Sequence, residues 1–288
     1  MLTKPIKWHG GKDYLASKIV AMMPPRCKNP NAPSPDDPGW LHYVEPYAGG
    51  LSVLLANEPD GISEVVNDLN RNLTNFWSHL QDNGSFKLLH RRLEATPFSH
   101  AEYVRAYEIL KPHGGCDIYT PLDQALAFFV HCRQSLAGRM DAFAPLSKSR
   151  TRRGMNEQAS AWLNAIEGLP AVHERLERVV ILNQDALDVI RKQDGPRTLF
   201  YLDPPYLHET RATTSEYGAH EMDNDAHVAL LALLSKLAGR FLLSGYHSRL
   251  YDTTAELHRW HCREFELPNQ AAGGKEKRRM TECVWCNY

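Results

Sequence analysis

The chain has 288 residues, 43% of them hydrophobic and 23% charged, with a formal net charge of −1 at pH 7. That length can bury one large core, or a core domain with a smaller insertion, and the near-zero charge gives no global sign of a nucleic-acid partner. No apolar run approaches the roughly 20 residues of a membrane helix. The first seven residues lack the apolar centre of a signal peptide, so a cytoplasmic protein is expected.

Residues 7–12, Lys-Trp-His-Gly-Gly-Lys, form a loop before an apolar helix over 14–23. The paired glycines let backbone approach a ligand, and Lys12 can meet a carboxylate or phosphate. Residues 26–39 are rich in Pro, Asn and Asp and predict an exposed loop. Residues 41–56 then predict a strand, a glycine turn through Glu45-Pro46-Tyr47-Ala48-Gly49-Gly50, and a helix. Such a turn lets a cofactor lie against backbone and face a helix N-terminus. It is not GxGxxG and no phosphate-loop Lys follows, which disfavours dinucleotides and nucleoside triphosphates. Residues 63–68 predict a second strand ending in Asp68, an acid placed either to hold ribose hydroxyls or to cap the next helix.

The middle third is mostly helical. Helices are predicted over 70–81, from the capping box Ser99-x-x-Glu102 to 110, over 121–132 with proline in the first turn, and over 156–166 closed by Gly168. Residues 112–120 predict a loop, and 134–154 an aperiodic, mobile basic loop. Arg133, Arg139, Lys148, Arg150, Arg152 and Arg153 stand there against Asp141 alone, and Lys275, Lys277, Arg278 and Arg279 form a second basic cluster. Both fit phosphate contacts or an ordinary solvated surface.

From residue 179 the α/β alternation returns. Residues 179–185 predict a strand ending in Asp185, 186–192 a short helix, and 199–202 a buried strand halted by Asp203-Pro204-Pro205-Tyr206. A carboxylate, a bare carbonyl and an aromatic ring at the C-terminal edge of a strand suit a flat heterocycle with an exocyclic amine. Residues 208–218 are polar and long enough to fold over a site, with His208, Arg211 and Tyr217 as candidates to close on a base. A helix over 223–237 and strands over 240–246, 262–267 and 282–287 complete the chain. The fold class is α/β, a wound sheet interrupted by a second domain. The six cysteines are expected to be reduced. Cys283-x-x-Cys286 has zinc half-site spacing, but on a strand those positions face opposite sides, so both are assigned to packing and no metal is expected.

The ordered motifs Trp8 to Lys12, Glu45 to Ser52, Asp68, Asp185, Asp203 to Tyr206 and Phe241 to Tyr246 resemble the Dam-like, D12-class, α-ordered DNA adenine-N6 methyltransferases. The resemblance implies a Rossmann-like S-adenosylmethionine-dependent catalytic domain over residues 1–70 and 169–288. It implies a helical target-recognition insertion over 71–168. By the same resemblance Trp8, Gly10, Gly11 and Lys12 bind the methionine end of S-adenosylmethionine, and Glu45, Pro46, Tyr47, Ala48, Gly49 and Gly50 wrap it. Asp68 holds its ribose and Asp185 its adenine amine. Asp203, Pro204, Pro205 and Tyr206 receive a flipped adenine. Double-stranded DNA is the implied partner, with Arg133, Arg139, Arg150, Arg152 and Arg153 near the duplex and no obligate protein partner. The glycine turn reads A-G-G-L-S, where the family commonly has a third glycine, and residues 132–139 replace the Asn-rich segment of Dam proteins. The last strand looks like that of phage-type relatives. Alternatives are a cytosine-N4 or RNA-adenine methyltransferase, or an inactive DNA-binding module of the same fold.

Overall fold

The computed structural model describes residues 2, 4–8, 10–31, 34, 36–111, 118–207, 221–268 and 279–288. In chain order, α1 (Ala16–Met22), β1 (His42–Glu45), α2 (Ser52–Ala56) and β2 (Ser63–Asn67) open the molecule. Helices α3 (Arg71–Gln81), α4 (Asn83–Glu94), α5 (His100–Leu110) and α6 (Pro121–Gln134) follow. Next come the short strands β3 (Thr151–Arg152) and β4 (Met155–Asn156), then α7 (Glu157–Glu167), α8 (Leu169–Leu176) and β5 (Val179–Leu182). The chain closes with α9 (Ala186–Gln193), β6 (Thr198–Leu202), α10 (Asn224–Leu234), β7 (Arg240–Gly245), α11 (Arg249–His258), β8 (His261–Pro268) and β9 (Arg279–Cys286). Two compact units share the chain: Met1–Val20, Gly49–Glu58 and Asn70–Asn183 form the first, and Ala21–Ala48, Pro59–Leu69 and Gln184–Tyr288 the second. The expected insertion over 71–168 lies inside the first unit, together with Gly10, Gly11, Gly49 and Gly50.

The second unit holds six strands in the order β2-β1-β6-β7-β9-β8. Strands β2, β1, β6 and β7 run parallel, while β9 is antiparallel to both β7 and β8. This is an α/β sheet of the Rossmann-like kind with an antiparallel edge. All five residues of β6 are buried, as an apolar run at the centre of a parallel sheet should be. Val44 pairs with Phe200, and Phe200 with Phe241, so one apolar row crosses the sheet's middle.

The first unit is helical and packs around α6. Pro121 sits in its first turn, and Thr120 and Asp123 exchange side-chain-to-backbone bonds across a complete capping box. Phe128 and Phe129 meet Phe76 of α3 at centroid distances of 5.9 and 5.5 Å, and Phe129 also meets Trp162 of α7 at 5.5 Å. Each buried ring is worth about 3–5 kcal/mol against truncation to alanine. At α5 the expected Ser99 cap is present, accepting from the Glu102 amide at 3.2 Å.

The expected mobile loop over 134–154 is instead built from local structure. Leu136–Gly138 form a 3₁₀ turn, Ser135 bridges to Phe143, and β3 and β4 pair as a hairpin. Gly138 packs so tightly that a Cβ there would overlap the Lys7 carbonyl. Arg153 and Gly154 join β3 to β4 with φ of 54° and 73°, the two positive values of a type I′ hairpin turn. A hairpin this short carries no hydrophobic period, so its sequence looks aperiodic.

Candidate functional site

At the C-terminal ends of β1, β2 and β6 the second unit gathers Glu45, Pro46, Tyr47 and Ala48, then Asp68, Asp185, and the Asp203–Tyr206 turn. One buried side chain holds the first three of these groups in place. The Asn67 amide donates to the Pro46 and Gln184 carbonyls at 3.0 Å each, and its Oδ1 accepts from the Gln184 amide at 2.9 Å. The Ala48 amide closes onto the Asn67 carbonyl at 2.8 Å. Asp68 follows directly and is half-buried. Asp185 caps α9, accepting from the Leu187 and Asp188 amides at 2.9 and 3.1 Å. Its charge also lies near Tyr47, whose hydroxyl is pushed up first by burial and then by Asp185.

The register puts Tyr43, Glu45, Tyr201, Ser244 and Glu282 on one face of the sheet. There Tyr43 donates to Glu45 at 2.8 Å, the Tyr201 and Ser244 hydroxyls meet at 3.0 Å, and Tyr206 donates to Glu282 at 2.6 Å. Glu45 and Glu282 are each only 1% exposed, so these tyrosines keep carboxylates satisfied away from water. The Tyr206 hydroxyl is held well above its usual range by burial, with Asp203 and Glu282 adding to it. It is therefore a protonated donor, and the bond fixes the ring behind the Asp203 turn. Tyr206 is 8% exposed and takes the Tyr246 ring edge-on at 4.8 Å. On the other side Tyr251 is raised by burial, then by Tyr47 and Asp203, and meets His227 at 2.9 Å.

In the first unit, Trp8 packs against Gly49 and Gly50. A Cβ on Gly49 would stand 2.8 Å from Trp8 Nε1, and one on Gly50 would stand 2.9 Å from Trp8 Cβ, so only glycine lets this indole lie against the turn. Gly49 has a φ of 48°, and its carbonyl accepts from Trp77 at 3.2 Å. The Gly11 amide returns to the Trp8 carbonyl at 3.1 Å, and Lys12, 4% exposed, donates to the Gly10 carbonyl at 3.0 Å.

The arginines divide. Arg133 is buried and donates to the Ala161 carbonyl at 2.8 Å, so it braces α6 against α7 and is withdrawn from the expected duplex-facing set. An arginine at the end of an apolar helix reads as a basic surface residue in sequence, and only packing reveals otherwise. Arg139, Arg150, Arg152 and Arg153 are exposed. Arg150 faces Glu157 at 3.9 Å, and Arg153 forms a two-pronged pair with Glu167 at 3.0 Å. His208, Arg211, Tyr217, Lys275, Lys277 and Arg278 lie outside the described residues.

Sequence reasoning missed Asn67, Glu282, Tyr251 and His227, and took Tyr246 only as the end of a motif. The signal was weak: Asn67 and Glu282 each stand beside an apolar run, Val65-Val66 or Cys283-Val284-Trp285, in strands that hold other polar residues too.

The family model for D12 class N6 adenine-specific DNA methyltransferase matches residues 8–265. No curated protein matches the chain. Among solved structures, a Pyrococcus horikoshii protein titled as an RNA methyltransferase is 11% identical, with 96% of each chain covered and a TM-score of 0.33. The Legionella pneumophila protein LPL1258 is 14% identical, with 99% of this chain and 84% of that one covered and a TM-score of 0.28. No helix among the described residues is long and apolar enough to cross a membrane.

Proposed function

Because the chain belongs to the D12 class of N6 adenine-specific DNA methyltransferases, we propose that it methylates the N6 amine of an adenine turned out of double-stranded DNA at a specific sequence, with S-adenosylmethionine as donor. The observation that carries this reading is the Asp203-Pro204-Pro205-Tyr206 turn at the end of the fully buried β6, braced by the bond from Tyr206 to Glu282.

The donor set fits the cofactor. The carboxylates of Asp68 and Asp185, set by the Asn67 clamp, suit ribose hydroxyls and the adenine amine, and Tyr47 supplies a protonated hydroxyl beside Asp185. In the first unit Trp8, Gly10, Gly11 and Lys12, with Gly49 and Gly50, take the methionine end. Glu45, Pro46, Tyr47 and Ala48 wrap it from the turn after β1, with the Glu45 carboxylate accepting from Tyr43 at 2.8 Å. Bound S-adenosylmethionine supplies an electrophilic methyl carbon.

An adenine amine is a weak nucleophile because its lone pair is delocalised into the ring. Asp203 and the Pro204 carbonyl accept its two hydrogens, which favours a pyramidal nitrogen and stabilises the positive charge that develops there. The stiff proline turn fixes these acceptors in advance, so little reorganisation remains for the chemical step. Tyr206, pinned through its hydroxyl, forms the wall against which the extruded base packs, recovering part of the few kcal/mol that extrusion costs. Arg139, Arg150, Arg152 and Arg153 contact phosphates.

The test is transfer of labelled methyl to unmethylated bacterial DNA, wild type beside Asp203→Asn, with the product nucleosides resolved. N6-methyladenine from the wild type, and a large rate loss with cofactor binding retained in the variant, support the proposal. Methylated cytosine, methylation confined to RNA, or near-wild-type turnover in Asp203→Asn overturns it.

A further inference from the structure

The antiparallel edge of the second unit concentrates metal-ligating side chains that methyl transfer does not use. In the β8–β9 register Cys262 lies opposite Trp285 and Glu264 opposite Cys283. Opposed residues share a face, as do residues two apart, so Cys262, Glu264 and Cys283 all project from the same side. Gly245 pairs with Cys283 in the β7–β9 register, and His247 follows it by two residues. Ligand atoms of His247, Cys262 and Cys283 all lie within 4.8 Å of one another.

The His247 ring is already oriented by carboxylates. Nδ1 stands 2.8 Å from Asp252 Oδ1, and Nε2 stands 3.3 Å from Glu264 Oε1. A carboxylate on one imidazole nitrogen is the usual support for a histidine that ligates through the other. Tetrahedral zinc, with bonds of about 2.0–2.3 Å, sets its donors about 3.3–3.8 Å apart. The contact between Nε2 and Glu264 already has that spacing, and the sulfurs need to move by only about 1 Å.

We propose that His247 Nε2, Cys262, Cys283 and Glu264 form a tetrahedral binding site for zinc, with Asp252 holding His247 from behind. Two thiolates and an imidazole select zinc over the hard cations magnesium and calcium. The ion ties β8 and β9 to the segment that follows β7. Its neighbours give it a role: Glu282, one residue before Cys283, receives the Tyr206 hydroxyl on the opposite face, and Tyr246, one residue before His247, packs on the Tyr206 ring. A bound ion thereby stiffens both supports of the Asp203 turn. The site stands independently of the methyl-transfer reading.

The experiment uses the untagged full chain, stripped with chelator and fully reduced, and titrated anaerobically with Co²⁺ and then Zn²⁺. Stoichiometric Co²⁺ should produce tetrahedral visible bands and a thiolate charge-transfer absorption, both bleached by Zn²⁺, and Zn²⁺ should raise the unfolding temperature. Cys262→Ser, at an exposed position, should remove one thiolate contribution and the thermal gain, and Asp252→Asn should weaken Zn²⁺ about tenfold. Cys286→Ser, on the opposite face of β9, should leave the spectrum intact. Absence of thiolate absorption, or a spectrum and thermal gain that survive Cys262→Ser, overturns the proposal. So does recovery of Cys262 and Cys283 as a disulfide in protein that takes up no metal after reduction.

Discussion

At the scale of single residues, the second unit's site depends on side chains that touch no reactant. Asn67 is the clearest case, because one buried amide joins the turn after β1, the end of β2 and the turn before α9. Asn67→Ala deletes three hydrogen bonds and leaves the Pro46 and Gln184 carbonyls short of donors. The expected cost is about 2–3 kcal/mol of stability, read as a lower urea midpoint with an unchanged slope. Because Asp68 and Asp185 flank the clamp, the affinity for S-adenosylmethionine should fall more than the rate at saturation. A variant with wild-type midpoint and affinity would show that the clamp is incidental. The place of Asp68 and Asp185, each just after a strand, was legible in the sequence. Asn67 was not, because its partner Gln184 is 117 positions away. Tyr206 was recognised within its tetrapeptide, but its partner Glu282 lies 76 positions on and is joined to it only by the sheet.

At the scale of elements, periodicity located most strands and helices, but it passed over the 12-residue α4, which Asp82 caps directly after α3. Helix α8 begins with Leu169 directly after the Gly168 cap, so a sequence reading stops at the glycine. Helix α11 was missed although Ser248 caps it, accepting from the Tyr251 amide at 3.2 Å. Cys262 and Cys283 were invisible as a pair, because zinc spacing drew attention to Cys286, which strand alternation puts on the other face. The β3–β4 hairpin bears most directly on the proposed DNA contacts. It displays Arg152 and Arg153 at an exposed tip, but Arg153 is engaged by Glu167 and must leave that pair to reach a phosphate. Exposed pairs of this kind are worth only about 0–1 kcal/mol, so the pair with Glu167 weakens but does not block the proposed Arg153 contact. Arg152→Ala should lower the slope of log affinity against log salt by about 0.9, the value for one phosphate contact, and Arg153→Ala should lower it by less. Titrations of duplex at several salt concentrations measure both slopes. Unchanged slopes would return the hairpin to ordinary solvated surface.

At the scale of the whole molecule, the chain passes between its compact units at 20/21, 48/49, 58/59, 69/70 and 183/184, so neither unit is a contiguous segment that could be excised. Its stability is best probed on the full chain, and a buried His131 and a half-buried Lys7 give that stability a definite pH dependence. His131 of α6 is pulled down from 6.5 to about 4 by burial, with the Tyr103 and Tyr107 rings of α5 at 4.6 and 5.5 Å. Lys7 is pulled down from 10.5 to about 8, chiefly by burial and then by Arg133. In both cases the unfolded chain binds the proton more readily, so stability rises with pH across the window between the folded and unfolded values. For Lys7 that window runs from about 8 to 10.5. For His131 stability is complete above about 6.5 and is lost as pH falls towards about 4. One proton taken up on unfolding gives a slope of at most about 1.4 kcal/mol per pH unit. His131→Phe keeps an aromatic ring against Tyr103 and removes the titration. Urea unfolding between pH 7 and 4.5 should therefore show a shallower acid loss in the variant, with the two curves diverging below about 6.5. Parallel curves would mean that the imidazole reaches water in the folded chain, and that the acid loss comes from carboxylates such as Asp123, which its Thr120 and Arg92 partners hold below the usual range.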